Sequence, residues 1–196
     1  MAISRLTQTT LQNAFQKFNT VWDGRSAVGG MDALGVITVP SGGVSSITFS
    51  SIPATYAHLQ IRYIGRDTNV ISRSALYITF NSDTGANYAY HGLYGDGATA
   101  GSFASASSNY IYGPELAGAG ATASIFGMGM TDILDYTNTN KYKTTRSITG
   151  EDNSGAGQVR FLSGLWMSLS AVTSITLTPS SPNLQQYSHF ALYGIK

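Results

Sequence analysis

The chain has 196 residues, a net charge of +1 and only 11% charged side chains. This length suits one domain with a sizeable core, and the small, scattered charge gives no field that would attract nucleic acid or anionic lipid. The sequence contains no cysteine, which excludes disulfides and thiolate metal sites. Glycine (22 residues) and tyrosine (12 residues) are abundant, as is typical of short strands joined by small-residue turns. We therefore predict an all-β protein that binds no nucleic acid.

The first 34 residues have a different pattern from the rest of the chain. Apolar side chains recur there at a spacing that predicts a short helix, and a glycine-rich linker, residues 23–32, follows. We expect residues 1–34 to form an N-terminal arm that holds the protein to a neighbouring subunit; a leader without fixed structure is the alternative. No apolar run approaches the ~20 residues of a membrane span, so we expect no membrane insertion. The side chains assigned to this assembly arm are Leu6, Leu11, Phe15, Phe18 and Trp22.

Residues 35–196 carry strand patterns and are predicted to form one β-sandwich domain. In residues 36–39, 44–49 and 58–66, apolar and polar side chains alternate as they do in half-buried strands. Residues 75–94 contain two more such runs around a polar break at Asn81–Asn87, which predicts a β-hairpin. The oxygen-bearing side chains of that break also resemble the first half of a calcium loop. A plain turn is the preferred interpretation, because the later bidentate glutamate is missing.

The second half of the chain alternates between predicted loops and strands. Residues 95–109 and 116–124 are small and polar, which predicts exposed loops. Further strands are predicted near residues 110–112, 125–134, 142–150, 159–167, 172–177 and 190–195. The total predicts a jelly-roll-like antiparallel β-sandwich of about 8–10 strands. Residues 44–49 and 172–177 have matching patterns, which weakly favours equivalent strands of a double Greek key.

Side chains suited to catalysis are few and form no recognised pattern. The histidines His58, His91 and His189 are scattered, and Glu115 and Glu151 lie in loop-like sequence, where we interpret them as solvated carboxylates. Neither a nucleophile elbow nor a phosphate-binding loop is present. We therefore predict no enzyme activity, no cofactor and no metal.

Tyrosine is the residue type that offers a binding hypothesis. Rows of aromatic rings can stack on sugars, and several tyrosines lie near predicted loops at one end of the sandwich. Core packing or cross-strand pairing is the more ordinary role for such rings. The candidate glycan contacts are Tyr110 and Tyr112.

Several segments together resemble a group of tailed-bacteriophage virion proteins. The order and spacing of these segments carry the resemblance, which spans roughly residues 40–196. The segments are Ser46–Pro53, His58–Arg62, Tyr77–Asn81, Asp83–Tyr88, Ser163–Trp166, Ile175–Leu177 and Phe190–Ile195, with Tyr56 between the first two.

The resemblance implies a structural role on the virion surface. In that group such modules are jelly-roll-like sandwiches in tails, fibres, baseplates or head decorations. We expect a capsid cement or decoration protein, or a short fibre, that is made in the host cytoplasm and contacts other virion proteins. We also expect a homo-oligomer, a trimer. The alternative is a tail-fibre or baseplate module that recognises host surface glycans.

Overall fold

The computed structural model describes residues 30–196, and this part of the chain is all-β. Two antiparallel sheets, of eight and four strands, enclose a shared apolar core. This confirms the predicted β-sandwich class. The predicted arm helix, with Leu6, Leu11, Phe15, Phe18 and Trp22, lies outside the described residues. Within residues 30–196, no helix has the length and apolarity that crossing a membrane requires.

The described residues contain twelve strands, so the predicted count of about 8–10 is too low. Strand β6 falls entirely in a predicted loop, because its small and polar sequence is typical of loops. The strands are β1 (Met31–Thr38), β2 (Ile47–Phe49), β3 (His58–Gly65), β4 (Arg73–Phe80), β5 (Tyr88–Gly95), β6 (Ala100–Ser108), β7 (Ile111–Ala117), β8 (Gly127–Leu134), β9 (Lys143–Glu151), β10 (Gln158–Trp166), β11 (Ile175–Pro179) and β12 (His189–Ile195).

The two sheets interleave strands from both ends of the chain. The large sheet has the order β1-β12-β3-β8-β9-β10-β5-β6, and the small sheet has the order β2-β11-β4-β7. Strand β7 ends the small sheet and packs against β8, β9 and β10. The large sheet therefore extends past the small one on its β5–β6 side.

The sandwich begins earlier than the sequence pattern predicts. Met31 already pairs with Ile195, so the predicted boundary between residues 34 and 35 falls inside β1. The segment has weak alternation, and a register shift between Ala33 and Gly35 interrupts it further. Its strand conformation follows from pairing with β12, which is a long-range contact that local pattern does not report.

Residues 75–94 do not form the predicted hairpin. Strand β4 belongs to the small sheet and β5 to the large one, so the connection crosses between the layers. The polar turn itself is as predicted, since Asn81 and Ser82 both have positive φ, 51° and 57°. Such a turn reverses the chain both in a hairpin and in a connection between sheets. Strand β5 joins the large sheet because it pairs with β10 and β6.

Residues 95–109 are not a loop, because β6 occupies most of them. Two aromatic rings from this strand pair lie over glycines of the neighbouring strand: Phe103 covers Gly92, and Tyr94 covers Gly101. A Cβ atom at either glycine would lie 2.4 Å from the covering ring, so a larger residue there would displace the ring. Ring-over-glycine pairs of this kind stabilise edge strands.

The two segments with matching patterns are partners in the small sheet. Ile47 and Phe49 of β2 pair with Leu177 and Ile175 of β11, and all four side chains are buried. The matched alternation thus places the same face of both strands on the core.

Candidate functional site

Five aromatic side chains meet beside β7, at the edge of the small sheet. They come from β4, β5, β6, β7 and the turn before β7, and all are half-buried. We call this set the aromatic cluster. Its members are Tyr77, Tyr90, Phe103, Tyr110 and Tyr112.

The structure brings the two predicted glycan contacts into this cluster. Tyr110 stacks on Tyr77 with ring centroids 3.9 Å apart and lies parallel to Tyr90, with an interplanar angle of 10°. Tyr112 meets Phe103 edge-on, with centroids 5.1 Å apart. Partial burial raises the pKa of Tyr77 to about 12.

Arg160 joins the aromatic cluster to a buried carboxylate. Its Nη2 lies 2.6 Å from Oε1 of Glu115, and its Nη1 donates to the Tyr112 hydroxyl at 3.1 Å. Its Nε donates to Gln158 Oε1 at 2.6 Å. The guanidinium carbon also lies 5.3 Å from the centroid of the Phe103 ring, within cation–π range. Arg160 is therefore held in place on several sides.

Glu115 is buried in β7, so its interpretation as a solvated loop carboxylate is wrong. Its side chain is 2% exposed, and its Oε2 accepts no hydrogen bond from the described residues. Burial raises the pKa of Glu115 to about 7, against the opposing effect of Arg160. Pro114, the residue before Glu115, predicts that a strand ends there. It is nevertheless part of β7, because β7 is an edge strand, where a proline is tolerated.

Glu151 is also buried, at the end of β9, and it too was wrongly assigned to solvent. Its side chain is fully enclosed, and neither carboxylate oxygen has a hydrogen-bond partner among the described residues. The nearest cation is Arg73, whose Nη1 lies 3.9 Å from Oε1. Burial raises the pKa of Glu151, and the Glu151 charge in turn is one of the smaller causes that raise the pKa of Glu115.

A polar pocket of about 380 Å³ opens beside these side chains. Its wall combines two guanidinium groups, one carboxylate and two tyrosine rings. We call it the Glu115 pocket. The lining residues used below are Arg73, Tyr77, Tyr112, Glu115 and Arg160. The pocket thus offers hydrogen-bond donors, an acceptor and an apolar surface within one small volume.

Asp83 organises the polar turn 81–87 through hydrogen bonds. The Asp83 carboxylate accepts hydrogen bonds from the Gly85 backbone, the Asn87 side chain and Nε1 of Trp166, the last at 2.7 Å. Burial alone would raise the pKa of Asp83, but these bonds lower it.

Other titratable groups in residues 30–196 are dispersed. His58 Nδ1 accepts a hydrogen bond from the backbone of Asp135 at 3.0 Å, which is a structural role. Within these residues, no three His, Asp or Glu side chains are grouped so that they could hold a metal ion.

Sequence reasoning identified Tyr110 and Tyr112 but missed the charged half of the site. One signal was available: Arg160 alternates with Gln158 and Leu162, so the pattern of β10 places a charge on the inward face of a strand. A charge at such a position requires a partner. The identity of that partner, Glu115, depends on which strands face each other.

No protein-family model matches the chain, and no curated protein matches it.

Proposed function

We propose that this protein is a structural component of a tailed-bacteriophage virion, with a jelly-roll sandwich as its body. The observation that carries the proposal is the interleaved strand order. One half of the large sheet has the order β1-β12-β3-β8, and the small sheet has the order β2-β11-β4-β7, so the successive strands β1 to β4 alternate between the two sheets. A jelly roll consists of two such interleaved Greek keys and is common in viral capsid domains. The pairs β5–β6 and β9–β10 are then additions that widen one sheet.

The sequence resemblance supports the same proposal. Its segments lie mainly in β2, β3, β4, β10, β11 and β12 and in the turn before β5, so they belong to both sheets. On this basis the protein is a capsid cement or decoration protein, or a short fibre, displayed on the virion surface. Its partners are capsid or tail subunits, which it contacts through the N-terminal arm that precedes β1. Its role is assembly and not catalysis.

The arm gives the most direct test of this proposal. We expect an antibody against the full chain to label purified phage particles, and we expect full chain carrying Leu11→Asp and Phe15→Asp to be absent from them. The control is Gln12→Asp with Gln16→Asp, which adds the same charge to the same segment at polar positions. Equal incorporation of both variants would remove the arm from the proposal, and particles without the chain would overturn the virion role.

The aromatic cluster favours a second candidate function, recognition of host surface glycans. Tyr112 lines the polar pocket, and Tyr110 stacks on Tyr77, which also lines it. Half-buried aromatic rings beside a polar pocket can contribute an apolar surface to sugar binding. We expect the full chain to bind a glycan array and Tyr110→Ala to lose that binding. Tyr142→Ala, at an exposed tyrosine remote in sequence from the cluster, is the control. An array without signal would reject this candidate and leave the structural role standing.

A further inference from the structure

A second pocket, of about 530 Å³, opens between loops at one end of the sandwich. We propose that this pocket binds one uncharged pyranose unit of a host surface glycan, with the ring of Tyr187 stacked on the sugar. The inference rests on the second candidate function, glycan recognition, and places it at a different site from the aromatic cluster. We call this site the Tyr187 pocket. The lining residues used below are Arg66, Ser124, Gln185, Gln186 and Tyr187.

The conformation of Tyr187 is the first argument for a ligand. Its φ is 72°, in the left-handed region, which a bulky side chain adopts only at a cost in stability. Tyr187 is 71% exposed, the highest value of any aromatic residue among residues 30–196, so packing of its ring does not offset that cost. Ser124, in the same pocket wall, also has a positive φ, 67°. Backbone strain of this kind clusters at ligand-binding sites.

The polar groups of the pocket match the hydroxyl groups of a sugar. Gln186 and Ser124 are exposed and Gln185 is half-buried, so a ligand in the pocket can reach their side chains. An amide both donates and accepts hydrogen bonds, and so does each hydroxyl group of a sugar. The exposed ring of Tyr187 adds the flat apolar surface on which the C–H face of a pyranose stacks. The pocket volume also lies in the range of roughly 300–1,000 Å³ that is usual for small-molecule sites.

The pocket offers no exposed charge, which favours an uncharged sugar. Among the lining residues in the described part of the chain, Arg66 is the only charged one. Arg66 is 7% exposed, and its Nη1 and Nη2 each donate to two backbone carbonyls of residues 119–125. Its guanidinium is therefore directed to the loop and not to a ligand. An acidic sugar would lose its hydration in this pocket without gaining an exposed cation as a partner.

The pocket lies at the end of the sandwich opposite the N-terminal arm. The arm joins β1 at Met31, which pairs with Ile195 at the end of β12. Residues 184–187 precede the start of β12, where His189 pairs with Thr38. In the proposed virion role the arm holds the particle, so the Tyr187 pocket points away from the particle and towards the host cell. This is the position that a contact with host surface glycans requires.

The full chain and defined probes test the inference. Saturation-transfer NMR should detect binding of at least one neutral oligosaccharide of glucose, galactose, mannose or N-acetylglucosamine. Calorimetric titration of that oligosaccharide should show that Tyr187→Asn weakens binding about tenfold or more, and that Gln186→Ala weakens it several-fold. Because asparagine tolerates the left-handed conformation, Tyr187→Asn should unfold at the same urea concentration as the native chain or at a higher one. Tyr142→Asn, at an exposed tyrosine between β8 and β9, should leave affinity unchanged.

The outcomes separate the Tyr187 pocket from the aromatic cluster and from the virion role. If binding survives Tyr187→Asn and is lost in Tyr110→Ala, glycan recognition stands and the Tyr187 pocket is wrong. Preference for uronic-acid oligosaccharides would overturn the uncharged assignment, and an absence of binding to all the neutral ones would overturn the inference. A lower urea midpoint for Tyr187→Asn would show that the ring stabilises the fold, against the first argument. If an oligosaccharide binds but phage particles lack the chain, the virion role fails and the pocket stands.

Discussion

At the scale of single residues, Arg66 shows how the sandwich holds a buried charge. Arg66 directly follows β3 in the chain, and it is only 7% exposed. The guanidinium donates to four backbone carbonyls of one loop, those of Ala119, Ala121, Thr122 and Ile125. Among these carbonyls, that of Thr122 also accepts a hydrogen bond from the Ile125 backbone, so Arg66 adds to the bonds that the loop makes internally.

We predict that Arg66→Met destabilises the protein by roughly 3 kcal/mol, since several charge-assisted hydrogen bonds disappear and the carbonyls stay buried. Urea unfolding should measure the loss, and limited proteolysis should show new cleavage within residues 118–126. Arg62→Met, at an exposed arginine of β3, is the matched control and should change little. Unaltered proteolysis of the Arg66 variant would mean that the loop does not depend on this residue.

Glu115 gives the second residue-scale prediction, a stability that falls as pH rises. Burial raises its pKa to about 7 from the ordinary 4.5, so the folded state binds the proton more tightly than the unfolded chain does. The free energy of unfolding therefore decreases between about pH 4.5 and about pH 7, by a total of roughly 3 kcal/mol, and then levels off. Glu151, whose pKa is raised by burial, contributes with the same sign.

Glu115→Gln should remove the Glu115 share of this pH dependence, because glutamine is uncharged throughout. We expect the stability difference between the variant and the native chain to shift in favour of the variant between about pH 5 and about pH 8. Urea unfolding of both proteins at the two pH values measures this shift, and the other titrating groups cancel in the difference. A constant difference would show that Glu115 keeps an ordinary pKa in the folded protein.

At the scale of elements, strand alternation is the signal that sequence reports well. The buried side chains of β3, β4, β11 and β12 were predictable because apolar residues repeat there with period two. Strand β6 was not predictable, since Ala, Gly and Ser dominate it and its conformation depends on pairing with β5. The sequence also does not indicate which sheet β5 joins. The turn that contains Asp83 has the same local chemistry whether it closes a hairpin or connects the two sheets.

We predict that β6 is held to the large sheet chiefly by Phe103. Phe103→Ala uncovers Gly92 and removes the ring that meets Tyr112 and Arg160. Since β6 is an edge strand, it should open locally while the rest of the sheet stays closed. Amide hydrogen exchange should accelerate by at least about tenfold in residues 100–108 and stay unchanged in β10. Ser102→Ala, at the adjacent exposed position, should leave exchange at its native rate.

At the scale of the whole molecule, the candidate functional site is the least predictable feature. Its charged groups come from positions 73, 115, 151 and 160, which are distant in the chain and lie on three elements of the two sheets and at the end of a fourth. Composition and periodicity predict the two layers, but they do not predict which strands of the layers face each other. Glu115 and Arg160 come into contact because β7 of the small sheet packs against β10 of the large sheet.

The outer face of the large sheet supports the expected homo-oligomer. Neighbouring strands present exposed apolar side chains there, in direct register: Phe161 pairs with both Ile148 and Leu93, and Ile64 pairs with Met128. Their exposed fractions run from 47% for Ile64 to 64% for Met128. A contiguous apolar surface of this kind is typical of protein–protein contacts.

We propose that copies of the chain bury this face in a trimer, and we predict that Ile148→Glu with Phe161→Glu yields monomers. Each glutamate would place an unpaired charge inside the contact, which association cannot tolerate, whereas in the monomer both positions face solvent and stability should change little. Sedimentation velocity of the full chain measures the mass. Ser46→Glu with Ser50→Glu adds the same charge at exposed positions flanking β2 of the small sheet and should leave the trimer intact. A native chain that sediments as a monomer, or a glutamate variant that still sediments as a trimer, would show that this face is not the contact between copies.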